Sequence, residues 1–170
     1  NKHAKPANPL KSYGWMALET NVNNVDNIRT KFIDESFSII GEPAYLQVSD
    51  AIKAMQVIGP AGEVSYLTQV DRDVPPFELP NTSFETGSLF IPVLCTPDRA
   101  ESLKFYQTLN NADAGLTFDT KITVLNNAWG QDIEHQYPVA TLQLDGKCLF
   151  EIDQVANAMP IVENTGSLPS

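Results

Sequence analysis

The sequence predicts an α+β fold: two βαβββ modules forming a curved mixed sheet around a cleft, with helices on the outside. Three observations carry that expectation. Residues 52–70, IKAMQVIGPAGEVSYLTQV, are two apolar runs hinged on Gly-Pro-Ala-Gly, which is the pattern of a hairpin. A helical stripe precedes them. A second stripe, followed by paired strands that end in KCLFEIDQV, repeats the order further along. One such module covers only one face of its sheet, so two placed side by side form an eight-stranded sheet with a seam where pockets form.

The elements follow from local patterns. Residues 15–22 (WMALETNV) alternate in a strand-like way, and Asn24 is placed to cap a helix over 25–35, in which Val25, Ile28 and Phe32 share one face. Residues 38–40 begin a strand, interrupted by Gly41 and Pro43, and 44–48 continue it. Residues 52–58 and 64–70 are the hairpin arms around the turn 59–62. Residues 71–87, DRDVPPFELPNTSFETG, hold three prolines and no periodicity, which marks an extended linker.

The second module opens with the strand 89–95, LFIPVLC, whose Pro92 predicts a bulge or an edge. Thr96-Pro97-Asp98 is a helix start, with a capping hydroxyl at Thr96, and Ala100, Leu103, Tyr106 and Leu109 form one stripe. Strands are expected over 116–125 and 138–144, joined by the loop NNAWGQDIEHQY. Asp145-Gly146 is a turn signal, and 148–155 closes the meander. The organisation is therefore a leader (1–13), a first module (14–70), the linker (71–87), a second module (88–156) and a tail (157–170).

Composition excludes some functions. A formal net charge of −10 repels phosphate backbones, so a nucleic-acid partner is not expected. No apolar run reaches the roughly 20 residues that span a bilayer, and the polar start, NKHAKPANPLKSYGW, has no signal-peptide core. The expectation is a cytoplasmic protein without a membrane partner. The chain does not begin with Met, which suggests a trimmed piece of something longer. Cys95 and Cys148 fall near opposite ends of neighbouring strands, too far apart to bridge. Asn81 opens an Asn-Thr-Ser sequon of a length that arises by chance.

The helix ending ESLKFYQTLNN and the hairpins GPAGEVSYLTQV and LDGKCLFEIDQV resemble the vicinal oxygen chelate superfamily, which includes glyoxalases, bleomycin-resistance proteins and extradiol dioxygenases. The resemblance extends from about Gly14 to Val155, and the order of the motifs carries it. In that family the Phe-Tyr helix ending belongs to the first module; here Phe105-Tyr106 lies in the second. That order suggests the back half of one domain joined to the front half of another, completed by a homodimer or by a longer chain. A ferredoxin-like sandwich shares the helix-on-sheet layout and is the alternative.

The resemblance also implies where a ligand would sit. Metal-dependent members hold a divalent ion with His, Glu or Gln from the first and last strand of each module. Carried onto this sequence, the first-module positions fall near Ala17 and at Tyr66, and those of the second near Phe90 and at Glu151. Only Glu151 has ligand chemistry, so it is the candidate metal ligand and the candidate catalytic base, set against a plain reading as a solvent-facing Glu. Ala17, Glu19, Tyr66 and Phe90 are the candidate ligand-binding residues. Glu19 shares the face of Ala17 and is otherwise a salt-bridge residue; Tyr66 offers a hydroxyl and an aromatic wall, or simply core contacts.

His135, with Asp132 and Glu134 nearby, reads as a solvated loop before it reads as a site, and His3 lies in the polar leader. Trp129 is a lid or a loop anchor. There is no phosphate loop on a strand-to-helix turn and no Gly-x-Ser-x-Gly elbow. The expectation is a small-molecule-binding module of bleomycin-resistance type with no cofactor held by this chain alone. The alternative is a metal-dependent lyase, isomerase or ring-cleaving dioxygenase that takes its other ligands from a partner chain or a missing segment. A purely structural half, packed against another subunit, is the third reading.

Overall fold

The computed structural model describes residues 8–32, 37–113 and 115–158. Among them a short 3-10 turn (Pro9–Lys11) precedes β1 (Gly14–Val22), α1 (Val25–Lys31), β2 (Ser38–Leu46), β3 (Ser49–Ile58) and β4 (Val64–Val70). The second module comprises β5 (Thr86–Thr96), α2 (Arg99–Asn110), β6 (Leu116–Lys121), α3 (Thr123–Trp129), β7 (Gln136–Leu144) and β8 (Cys148–Gln154). All eight strands join one mixed sheet in the order β2-β3-β4-β1-β5-β8-β7-β6. A single continuous sheet of that order is not the ferredoxin-like alternative.

Each module pairs its first and last strands in parallel, β1 with β4 and β5 with β8, and the modules meet through the antiparallel pair β1–β5. The registers reveal an internal two-fold. Glu19 lies opposite Tyr66, which lies opposite Gln56. Val93 lies opposite Glu151, which lies opposite Thr141. Glu19 is thus the counterpart of Val93, Tyr66 of Glu151, and Gln56 of Thr141. Across the seam, Glu19 pairs with Ile91 and Ala17 with Val93, as that symmetry requires.

α1 starts where Asn24 Oδ1 accepts the Asn27 N–H at 2.8 Å, the expected cap. Its Val25 and Ile28 bury against Met55, Val57 and Leu67, on the sheet face opposite Gln56 and Tyr66. Phe32 caps α1 at its C-terminal end, and residues 33–35 of the predicted helix lie outside the described residues. In α2 the cap is Asp98, whose Oδ1 accepts the Glu101 N–H at 2.9 Å, while Thr96 Oγ1 lies 2.7 Å from Ser102 Oγ. α2 packs more loosely than its stripe predicts. It contributes no fully buried residue, and Phe105 and Leu109 stay exposed beside a cluster of Trp15, Tyr106 and Phe150 rings.

α3 replaces the end of a predicted strand. Residues 122–125, Ile-Thr-Val-Leu, are a β-branched run that reads locally as strand. Burial overrides that preference: helical geometry sends Val124 and Leu125 into the core, and Gly130, at φ 63°, ends the helix in the left-handed conformation. Leu10 of the leader packs into the same cluster, and Trp129 Nε1 donates to the Leu10 carbonyl at 3.0 Å. The linker is pinned along its length. Asn21 Nδ2 donates to the Pro80 carbonyl, and Gln143 bonds both the backbone N–H and the carbonyl of Glu78.

Cys95 lies opposite Asp153, and Cys148 is five residues earlier on β8, roughly 17 Å along the strand, so the two free thiols cannot bridge. Among the described residues, no helix is long and apolar enough to cross a membrane.

Candidate functional site

The sheet curls until its two edges approach. Gln47, in the turn between β2 and β3, accepts the Lys121 N–H of β6 at 2.9 Å and lies 3.4 Å from Thr120 Oγ1. Beneath that bridge is a cavity of about 410 Å³. Its floor carries Glu19, Gln56, Tyr66 and Glu151, and its walls include Tyr45, Phe118 and Val124. Gln56 fits because Gly41 opposes it: a Cβ there would fall 1.8 Å from Gln56 Oε1.

The electrostatics of the floor are unusual. Glu19 is 7% exposed and accepts a hydrogen bond from Thr68 Oγ1 at 2.7 Å. Burial, and then the nearby Glu151, push its carboxyl up to about 8. Burial raises Glu151 to about 7, opposed by a hydrogen bond to Asp153. Asp153, fully buried one step along β8, is held well above the usual carboxylate range by burial, then by Glu151 and Glu19. As a carboxylate, neither of its oxygens has a donor; protonated, it donates to Glu151. Burial and these three acids likewise raise the Tyr66 phenol, whose hydroxyl has no hydrogen-bond partner. Burial drives the Cys95 thiol up to about 12, so it is no nucleophile.

The two charged side chains at the rim are already engaged. Glu42 makes two hydrogen bonds of 2.9 Å with the Arg29 guanidinium, and Lys121 Nζ bonds both oxygens of Glu134.

Of the residues singled out in the sequence, the structure brings Glu19, Tyr66 and Glu151 to this cavity. It does not bring Ala17 and Phe90, which are buried in the apolar cluster and do not line it. The reason is local. The β1–β5 register slips between Trp15 and Ala17, and again between Glu19 and Thr20, where Phe90 is the extra residue of the bulge. Ala17 shares the face of Glu19 but lies two residues before it, and Phe90, the extra residue, is out of step with Val93, so the opening-strand positions that pair with Tyr66 and Glu151 are Glu19 and Val93. Pro92 lies between the two slips, on a central strand.

His135 is exposed, edge-on to Tyr137, and its carbonyl accepts from Asn126; Asp132 Oδ1 accepts the Glu134 N–H. That is a loop holding itself together, and Trp129 anchors it. His3 lies outside the described residues. Sequence reasoning passed over Asp153, although Glu151-x-Asp153 on a strand places two acids on one face. It had no means of finding Gln47, whose role depends on two edges meeting in space.

The fold is that of the vicinal oxygen chelate superfamily. Glyoxalase I from Zea mays superposes with a TM-score of 0.57 at 15% identity, over 86% of this chain and 44% of that one. Methylmalonyl-CoA epimerase from Mycobacterium tuberculosis gives 0.51 at 9% identity, over 91% and 94%. A methylmalonyl-CoA epimerase in complex with methylmalonyl-CoA and NH4+ gives 0.50 at 9%, over 88% and 99%. The chain thus spans less than half of the maize enzyme and nearly all of the epimerases. No family model matches the chain, and no curated protein matches it in sequence.

A divalent metal of the kind the sequence resemblance implies does not fit the donors present. The four facing positions on the parallel strand pairs are Glu19, Tyr66, Val93 and Glu151, of which Val93 has no donor atom. Among the described residues, no three His, Cys, Asp or Glu side chains are placed to hold a metal ion together.

Proposed function

We propose that this domain binds a small molecule in the cavity between its modules through direct hydrogen bonds, without a metal held by its own side chains. The observation that carries the reading is the convergence of Glu19, Tyr66 and Glu151 on one cavity, at the strand positions this fold uses for ligands. Its volume lies within the usual range for small-molecule sites, and it combines apolar walls with a few converging polar groups. Bleomycin-resistance-like sequestration suits that arrangement better than turnover.

The test is a ligand screen by protein NMR with assigned amides. Compounds that bind should perturb Gln56, Tyr66 and Glu151, and the Tyr66→Ala variant should weaken them. Perturbations that map elsewhere, or none across neutral, cationic and anionic compounds, would end the proposal.

A second reading has one observation in its favour: Glu19 and Glu151 hold one ligand position in each module. With further donors from a partner chain, the domain would serve a metal-dependent lyase, isomerase or dioxygenase. Elemental analysis of purified protein separates the two, since stoichiometric zinc, iron or manganese supports the second. A homodimer is the assembly we propose, supported by the exposed Trp15, Leu18, Leu89 and Phe105. A cytoplasmic location agrees with the two unpaired thiols.

A further inference from the structure

We propose that the ligand is a small organic cation, a protonated primary amine, held between Glu19 and Glu151 with the Tyr66 hydroxyl as a third acceptor. The inference rests on the binding reading above and names its ligand class.

Tyr66 and Thr68 of β4 and Asp153 of β8 face the two acids, and Cys95 of β5 and Tyr137 of β7 stand beside Asp153. All are neutral or acidic. Among the described residues, the basic side chain on the cavity wall is Lys121, and Glu134 already holds it. Buried acids are ordinarily paired with a base or a metal. Here no base among the described residues is paired with them, and the cavity opens beside them.

An independent observation points the same way. Tyr66 is 5% exposed, and its hydroxyl, on the same floor, has no hydrogen-bond partner. An ammonium group has three N–H donors on a compact charge, matching two carboxylates and a phenol oxygen. The strand order separates Glu19 and Glu151 by β5, and their registers on it differ by two residues, which sets their backbones roughly 12 Å apart. That spacing leaves room between the side chains for a hydrogen-bonded ammonium. A metal ion draws its ligands to about 2.0–2.6 Å and needs more of them than these side chains supply. Tyr45 and Phe118 line the way out, giving the organic part of the cation an aromatic wall.

The probes are n-butylammonium, 1-butanol, butyrate and manganese chloride, titrated into the intact chain by calorimetry and amide NMR. Butylammonium should bind and perturb Gln56 and Tyr66, and the neutral and anionic analogues should bind at least tenfold more weakly. Glu19→Gln and Glu151→Gln should each weaken the amine at least tenfold, with thermal melts showing both variants folded. Asp73→Asn, an exposed acid away from the cavity, should leave the affinity unchanged. If butanol or butyrate binds as well as the amine, or both Gln variants retain affinity, the ligand class is wrong while the binding site stands. Manganese that binds tightly and excludes the amine also overturns the inference. If no probe, charged or neutral, reaches the cavity amides, both the inference and the binding reading fall.

Discussion

The two modules share a backbone and differ in nearly every side chain that faces the cleft. The first presents Glu19, Tyr66 and Gln56 in one row across the sheet; the second presents Val93, Glu151 and Thr141 at the same places. Their helices differ as well. α1 buries Val25 and Ile28 against the sheet, while α2 has twelve residues and buries none completely. The first module also contributes the buried Glu19–Thr68 hydrogen bond, and the second a pair of acids stacked along β8. The two-fold thus belongs to the scaffold alone. Chemistry resides where the symmetry is broken.

The strongest way to break the comparison is to restore the symmetry at its least tolerant point. Val93→Glu places a fourth acid at a position that is 0% exposed, beside Glu151. It should cost more than about 4 kcal/mol near neutral pH, enough to unfold a marginal domain, because the charge has no partner. Denaturant melts at pH 5 should show partial recovery as the acid protonates.

The helices offer a second contrast. Ile28→Ala should cost about 2–4 kcal/mol, as a buried truncation that leaves a cavity, whereas Leu109→Ala should stay within about 0.5 kcal/mol. Equal losses in urea melts would show that α2 is covered in solution by something other than this chain.

The floor acids predict how stability depends on pH. Below about pH 4.5 these carboxyls are protonated in the folded and the unfolded chain alike. As pH rises, the unfolded chain ionises them freely, while the folded one holds Glu151 protonated to about 7 and Glu19 to about 8. Stability should therefore be fullest below about pH 4.5 with respect to these groups and fall progressively toward pH 8. Glu19→Gln should flatten that slope and gain on the order of 1–3 kcal/mol at pH 8. A slope of the opposite sign in the Glu19→Gln difference would show that a positive charge faces the acid.

The smallest expected effect is at the caps. Asp98→Ala removes the oxygen that accepts the Glu101 N–H and should cost about 1 kcal/mol. Thr96→Ser, which keeps the hydroxyl contacts to Ser102 and Asp98, should be close to neutral. Urea melts in which Asp98→Ala costs nothing would show that the Asp98 side chain does not cap α2.

Local chemistry made much of this fold legible in the sequence. The hairpin over residues 52–70 could be read because two alternating runs flank a glycine-rich turn, and Gly146, at φ 74°, closes the last meander where Asp145-Gly146 predicted a turn. Asn24 announced the start of α1. Tyr66 and Glu151, the closing-strand positions that the resemblance implied, reach the cavity on the regular strands β4 and β8. Ala17 and Phe90 do not reach it: Ala17 lies two residues short of Glu19 on the same face, and Phe90 is the extra residue of a bulge between β1 and β5. A bulge arises when two strands already paired must match unequal lengths, and neither strand records that alone.

α3 was hidden for a related reason. Ile-Thr-Val-Leu prefers extended backbone in isolation, and burial of Val124 and Leu125 against Leu10 outweighs that preference only after folding. By itself the chain determined the repeat, the strand alternation, the turns and the chemistry of each side chain, since these depend on residues within a few positions of one another. The tertiary structure alone decided that Glu19, Tyr66 and Glu151 share one floor, and that Gln47 closes the sheet above them. Those placements depend on strand order and curvature, which arise from contacts between residues tens of positions apart in the sequence.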